Sequence, residues 1–373
     1  MFAGRDPVTG KVRHLSHRVH GGIRAARTAR AELLTQVAEE KEKTRSSAES
    51  FGQLLDDWLA LGIRNGRSPN TIAGYRKKIE STIRPALGDV PLSEITAARI
   101  DAFYDQLLAE GVTPQTIIHY HRVISAALTQ ARKWKRVPTN EARDASPPSV
   151  RHKPMVVPPP EKVRALIDLA ANSKAPHWAA VITFAAMTGL RRGELCGLRW
   201  SDVDWSHHVI QVERSIWQTN EGWGVKEPKT HQKRRLVLGE QTMAVLGVRL
   251  RQVEANAAVA EIPLSPDAYV FSPDLDGTTP PLPGALTLAF RRFTKKMEER
   301  TGEPWPYRLH DLRHYTATEL FRAGHHARTV ADRLGHADPA LTLRVYTHDT
   351  QDQALAAARS LEAGLGTVPA LSR

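Results

Sequence analysis

Between residues 50 and 137, apolar side chains return every three or four positions, the period of helices that bury one face. Phe51, Leu54, Leu55 and Trp58 form the first stripe. Ser68-Pro69 offers an N-cap and a first-turn proline for a second helix. Its stripe is Ile72, Tyr75, Ile79 and Ile83, leaving Arg76, Lys77 and Lys78 largely outside it. Ile100, Phe103, Tyr104 and Leu107 mark a third helix that Gly111 ends, and Thr113-Pro114 caps a fourth with Ile117, Ile124 and Leu128 inward. The aromatic members of these stripes, Tyr75, Tyr104 and Tyr120 included, read as core.

From residue 161 onward the pattern alternates between the two periods. Helices are expected near Glu161–Ala171, His177–Met187, Arg192–Arg199, Gln241–Ala258, Ala285–Thr301 and His310–Ala323. Strands are expected at Val209–Ile216, Arg234–Leu238 and Tyr269–Phe271, with a turn around Gly222–Gly224. The two patterned regions are separated by seven prolines between Pro138 and Pro160, which predict a semi-extended tether. The expected organisation is a small N-terminal module over 1–48, a helical domain over 49–138, a linker over 139–160 and a larger domain over 161–373. The fold class is mainly α with a small β-sheet.

Charge narrows the function. The chain carries a net charge of +12, which points to a polyanionic partner. Residues 1–30 hold seven Lys/Arg against one acid, Asp6, and combine turn chemistry at Asp6-Pro7-Val8-Thr9-Gly10 with an Ala-, Arg- and Glu-rich helix over Ile23–Lys43. Between Gly111 and Asn140 stand Arg122, Arg132, Lys133, Lys135 and Arg136 with no acid among Arg122–Arg136. A solvated face usually alternates sign, so Arg122, Arg132, Lys133 and Lys135, together with Arg76 and Lys77, are candidate phosphate contacts. The single cysteine, Cys196, excludes an intrachain disulfide and a Cys-based zinc site. No apolar stretch approaches the length of a membrane span, and the N-terminus lacks a signal-peptide apolar region, so a cytoplasmic location is expected.

Two motifs fail on inspection. Gly4…Gly10-Lys11 has one residue too many for a phosphate loop and lacks its Ser/Thr. His310 and His314 are spaced as zinc ligands can be, yet neither has the adjacent glutamate of a zinc protease helix. No metal or cofactor is called for. Three other segments carry a coherent chemistry: Thr188–Asp204, containing Arg191, Arg192, Gly193 and Glu194; His310-Asp311-Leu312-Arg313-His314-Tyr315; and Leu334-Gly335-His336, followed ten residues later by Tyr346. Exchange at a phosphodiester passes through a phosphorus centre with added negative charge. Arg191 and Arg313 supply permanently charged forks for its oxygens, and His310 and His336 supply hydrogen bonds or a proton. Tyr346 supplies an attacking phenol oxygen, and the resulting ester conserves the bond for rejoining.

In order and spacing these segments resemble the motif boxes of the tyrosine recombinase (phage integrase) family over residues 50–348. The resemblance implies a tyrosine recombinase catalytic domain preceded by a SAM-like four-helix core-binding domain. It implies a site-specific recombinase of a phage or integrative element, acting through a 3′-phosphotyrosine at Tyr346 without metal or ATP. It further implies double-stranded attachment-site DNA as partner, a homotetramer on synapsed DNA, and accessory directionality or DNA-bending proteins. The family places a leaving-group lysine in a β-hairpin between the two arginine boxes. Lys229 matches that position, with Lys226 and Lys233 as neighbours that could be mistaken for it. Glu194 matches the family's acidic position and orients partners by hydrogen bonding. A nucleophile helix is expected over Pro339–Val345.

Residues 1–48 are similar to an arm-type DNA-binding domain of three strands and a helix, with Arg18–Leu34 as last strand leading into the helix. The strand before the turn is expected to be missing, so that either the start lies too far downstream or this module is incomplete. Arg192 and Arg199 read as surface or DNA-backbone arginines, His314 as structural, Cys196 as a small buried side chain, and Tyr315 and Trp200 as core. A Xer-like chromosome-dimer resolvase and a type IB topoisomerase are rivals within the same chemistry. A DNA-binding protein without catalysis, such as a decayed integrase, is the rival outside it.

Overall fold

The computed structural model describes residues 2–5, 12–14, 22–24, 27–32, 34–35, 49–150, 155–228 and 233–335, and it divides into two compact units, Met1–His152 and Lys153–Arg373. The architecture is mostly helical with small antiparallel sheets. No helix among the described residues is long and apolar enough to cross a membrane.

In the first unit, β1 (Phe2–Arg5) pairs antiparallel with β2 (Val12–His14), while the predicted turn at Asp6–Gly10 lies outside the described residues. The expectation of a missing strand is corrected, because the four residues Phe2–Arg5 are long enough to form a strand that pairs with β2. Residues 23–24, 27–32 and 34–35 are helical, as the Ala- and Arg-rich composition predicts.

The four-helix core follows. α1 (Phe51–Arg64) opens with a capping box: Gln53 N–H donates to Ser50 Oγ and Ser50 N–H to Gln53 Oε1. α2 (Pro69–Lys78) begins on its proline, but the Ser68 hydroxyl makes no capping bond to it; the Ser68 carbonyl accepts from Thr71 and Ile72 instead. The helix continues through a π-helical turn, Ile79–Ile83, into a last α-turn, Arg84–Leu87. Two features of the sequence require that turn. Pro85 cannot donate to the helix ladder. The buried residues Ile79, Ile83 and Leu87 are spaced in fours, which drifts about 40° per step on a 3.6-residue helix and is realigned by a wider turn. α3 (Ala97–Ala109) and α4 (Pro114–Lys133) are capped by Thr96 and Thr113 hydroxyls.

The proline-rich tether is ordered where it begins. A short 3₁₀ turn at Glu141–Arg143 carries Ala142 into the helical core, and Asn140 donates to Ser125 O and Thr129 Oγ1 on α4. After Pro138 the next proline is Pro147, so the residues between them are free to pack.

The second unit contains α5 (Pro160–Ala171), α6 (His177–Thr188), α7 (Arg192–Gly197), α8 (Glu240–Val259), α9 (Pro283–Thr301), α10 (Asp311–Arg322) and α11 (Ala327–Leu334). Its three-stranded sheet runs β3 (Val203–Asp204), β4 (Val209–Val212), β7 (Arg234–Val237), and a separate hairpin joins β5 (Ser215–Thr219) to β6 (Gly222–Lys226). The single strand expected at Val209–Ile216 is therefore two. The chain breaks at Glu213-Arg214, where Arg214 pairs with buried Asp202 at 2.5 Å. Gly222–Gly224 is strand rather than turn, because Trp217 lies across the bare backbone of its partner Gly224. Tyr269–Phe271 forms only a bridge from Tyr269 to Arg199. Its carbonyl at Val270 accepts from the buried Arg249 guanidinium instead of from a neighbouring strand.

Candidate functional site

The residues Arg191 and Glu194 are placed by the short helix α7. Gly193 on that helix lies so close to β5 that a Cβ there would come within 2.4 Å of Ser215 Oγ and 2.7 Å of the Ile216 carbonyl. A bare backbone thus lets α7 sit directly on the hairpin. Arg191 stands at the N-cap of α7, where its N–H donates to Glu194 Oε2 at 3.0 Å and its Nη1 to Glu194 Oε1 at 2.8 Å.

Arg313 lies in the first turn of α10 and is buried. The turn is fastened by Asp311, also buried, which accepts from the Arg308 N–H at 2.7 Å, and by Thr316 Oγ1, which donates to Ala186 O of α6 at 2.7 Å. Arg313 Nη1 donates to the Gly189 carbonyl at the end of α6, at 2.7 Å.

A third arginine joins them. β7 alternates its side chains between faces, and Arg234 shares the inward parity of buried Leu236. Its Nη1 and Nη2 donate to the two Glu194 oxygens at 3.2 and 2.8 Å. All three guanidiniums converge on the end of α11, where three successive carbonyls accept one each: Arg333 O from Arg234 Nε at 3.3 Å, Leu334 O from Arg313 Nη2 at 2.7 Å, and Gly335 O from Arg191 Nη2 at 2.7 Å. The last carbonyls of a helix lack intrahelical donors and carry the negative end of its dipole, so they are natural partners for cations. Gly335 closes α11 at a φ of +69°, and a Cβ there would meet Arg234 Nη1 at 2.8 Å.

Among the described residues, Glu194 is the single acid bonded within this cluster. Burial alone pushes its carboxyl up, but hydrogen bonds and charge from Arg234, then the charge and N–H of Arg191, outweigh it and hold the group at about 2. Three guanidiniums against one carboxylate leave a fixed excess of positive charge. Arg191 is the most open of the four, with 21% of its side chain accessible. Such an arrangement can hold a phosphoryl group whose oxygens gain charge.

His310 precedes α10, and its ring meets His314 edge-on at 5.1 Å between centroids. The residue is solvent-accessible, yet loss of water around the ring, followed by the charges of His314 and Arg313, draws its imidazole down to about 4. It is therefore a neutral donor and acceptor at pH 7 in the free protein. Lys229, His336, Tyr346 and the expected helix Pro339–Val345 lie outside the described residues.

The candidate phosphate contacts of the first unit are arranged differently. Arg122, Arg132 and Lys133 are exposed on α4, and Lys135 is exposed just beyond it; Lys77 is exposed on α2, and Arg76 is half-buried. Arg136, from the same basic run, is tied to Glu49 and Asp57 at 2.7 Å each and lies over the Trp134 ring. Among the arginines read as surface residues, Arg192 donates to Thr287 Oγ1 at 2.6 Å. Arg199 is instead half-buried, stacked on Tyr269 at 4.9 Å, because the bridge at that point brings the ring alongside. Cys196 is fully buried, and that burial pushes its thiol up to about 12.

Arg234 is the site residue that the sequence reading missed. Its signal was present: an arginine at an inward position of a strand needs a buried partner. The three sequence boxes gave no reason to look there.

Residues 159–353 match the phage integrase family, and residues 50–108 match the N-terminal SAM-like domain of phage integrases. The chain is 28% identical over 324 residues to a protein of Caldanaerobacter subterraneus named tyrosine recombinase XerC-like, covering 80% of this chain and 79% of that one. Its fold is similar to that of the Tn1549 transposon integrase solved with a circular intermediate DNA (TM-score 0.72, 23% identity, 84% of this chain and 100% of that one). It is also similar to lambda integrase solved as a tetramer on a Holliday junction (TM-score 0.61, 19% identity, 93% of each chain).

Proposed function

The chain belongs to the phage integrase family, and on that premise we propose that it is a site-specific DNA recombinase that integrates or excises a mobile element. The observation that carries the proposal is the convergence of Arg191 and Arg313, with Glu194, on the end of α11. A fixed excess of donors and positive charge there, needing no rearrangement when the phosphorus centre gains charge, is what strand cleavage requires.

In this reading Tyr346 attacks the scissile phosphorus and becomes joined to the 3′ phosphate as the 5′ oxygen leaves. Arg191 and Arg313 hold the non-bridging oxygens. Lys229 protonates the departing oxygen, while His310 and His336 contribute hydrogen bonds or exchange a proton. Glu194 orients Arg191. Reversal of the attack by a different 5′ hydroxyl completes exchange without an energy source. Arg76, Lys77, Arg122, Arg132, Lys133 and Lys135 contact phosphates, residues 1–48 form an arm-type DNA-binding module, and the segment over 139–160 joins the core-binding and catalytic domains. Four protomers pair two attachment sites, with accessory directionality or bending proteins alongside, in the cytoplasm and on the nucleoid.

The test is cleavage of a nicked suicide substrate carrying the element's own core site, in excess EDTA and without nucleotide. A protein–DNA adduct on a denaturing gel is the expected result. Activity that vanishes on chelation and returns with Mg²⁺ would sink the proposal.

A further inference from the structure

Arg191 and Glu194 taken together carry no net charge, and a neutral pair is a poor support for a phosphorus centre that is becoming more negative. Arg234 changes this sum. It grips both oxygens of the same carboxylate, so Glu194 divides its charge between two guanidiniums, and the three groups together remain cationic. Its side chain is 10% accessible, half the value for Arg191, and all three of its guanidinium nitrogens donate within the protein. It is thus placed to act on Arg191 and not on a substrate.

The same side chain also helps to hold the carbonyl that Arg191 uses. Arg234 Nε donates to Arg333 O, and the guanidinium lies against the bare backbone of Gly335, whose carbonyl accepts from Arg191. The contacts close a ring: Arg234 to Glu194, Glu194 to Arg191, Arg191 to Gly335, and Gly335 back to Arg234. That ring joins β7, α7 and α11. The docking of α11 does not depend on it alone, because Arg333 independently donates to Val237 O on β7 and to Met187 O on α6, at 3.1 Å each. Arg313 adds its bond to Leu334 O. Removing Arg234 therefore leaves α11 attached while it takes away the second claim on Glu194.

We infer that Arg234 is a positioning residue for strand cleavage: it keeps the Arg191–Glu194 pair cationic and holds the Gly335 carbonyl where Arg191 can use it. The inference rests on the recombinase reading above and deepens it.

The experiment compares single-turnover cleavage, at saturating DNA, of two core-site substrates. One has an ordinary scissile phosphodiester, and the other has a neutral methylphosphonate at that position. Replacing a charged oxygen by methyl lowers the need for a cationic partner, so Arg191→Ala should be slow on the first substrate and recover on the second. Arg234→Ala should follow the same pattern, losing roughly 10- to 100-fold on the phosphodiester, the usual cost of removing a residue that orients a working one. It should approach the wild-type rate on the methylphosphonate, with DNA affinity unchanged. Arg234→Lys, which keeps a charge in the fold, is read on the same two substrates and serves if the alanine variant does not fold. It should also be slow on the phosphodiester and recover, since one ammonium cannot span both Glu194 oxygens and Arg333 O. Equal slowing on both substrates would mean a merely structural role, and no slowing would mean none; either result overturns the inference. Failure of Arg191→Ala to recover would overturn it too, because Arg234 is held to act through that charge. Wild-type protein cleaving neither substrate would instead defeat the recombinase reading itself.

Discussion

The exposed cations along α4 and the sunken arginines around α11 are the same kinds of side chain held in opposite ways. Arg122, Arg132 and Lys133 stand in solvent on one helix, with no side-chain hydrogen bond or ion pair from the described residues to fix their geometry. Arg313 and Arg234 are enclosed, and with Arg191 they are bonded to carbonyls and a carboxylate that fix each fork in place. A solvated cation gives up little to meet a phosphate and returns a counterion to the bulk, which yields affinity that salt erodes. A buried, bonded cation costs desolvation during folding, but it is already oriented when charge develops on a reacting group. The first arrangement suits holding DNA, and the second suits changing it.

The largest expected separation between the two regions comes from Arg313→Ala. Cleavage of a core-site substrate at saturating DNA should fall by roughly a thousandfold, while affinity in a gel-shift assay changes by no more than a few-fold. Equal losses of binding and cleavage would mean that Arg313 only anchors DNA, and the contrast between the regions would fail.

A second consequence concerns the cost of burying charge, and it is specific to the second unit. The folded Glu194 carboxyl sits at about 2 against an ordinary value of 4.5, so the depressed value contributes stability at any pH above about 4.5. That contribution is lost as pH falls from 4.5 toward 2. Its size is roughly 3 kcal/mol. In chemical denaturation of the full chain, Glu194→Gln should be less stable than wild type by about that amount at pH 6. The two should converge as pH approaches 2. A gap that does not close on acidification would mean that Glu194 is not held ionised by its arginines.

The smallest of the three effects lies in the first unit. Replacing Arg132, Lys133 and Lys135 together by alanine should weaken DNA binding by roughly 10- to 100-fold and lower the slope of log affinity against log salt by about 2.7. Cleavage at saturating DNA should hold. A fall in the saturated rate would place these residues among the working groups and erase the distinction.

How much of this was legible in the sequence differs between the two regions for a physical reason. The helical domain is governed by local rules. Periodic apolar residues, Thr113-Pro114 and Gly111 announce α3 and α4 without reference to anything distant. The π turn of α2 escaped, although Pro85 and the four-residue spacing of Ile79, Ile83 and Leu87 encode it. The arginine cluster is assembled instead from segments far apart in the chain. The spacing of Arg191 to Glu194 and of His310 to Arg313 could be read, since each pair shares a turn. That the end of α11 collects three guanidiniums could not, because backbone carbonyls leave no mark in a sequence. Arg234 stood in plain view beside Lys233 and Arg235, and only the pleat of β7 separates it from them. For the same reason Tyr269–Phe271, apolar and β-branched enough for a strand, could not be seen to spend its carbonyl on Arg249.

The central proposal is that the two arginines of the sequence boxes, Arg191 and Arg313, serve an attack by Tyr346. Its most direct test is to trap the adduct on a suicide substrate and map the linkage by peptide sequencing, in wild type and in Tyr346→Phe. The change removes one oxygen and keeps the ring, so DNA binding should survive in the variant. Wild type should give a 3′-phosphotyrosine adduct on Tyr346, and the Phe variant should bind the same DNA and give none. An adduct that persists in the variant, or that maps to Tyr315 or any other tyrosine, would contradict the account.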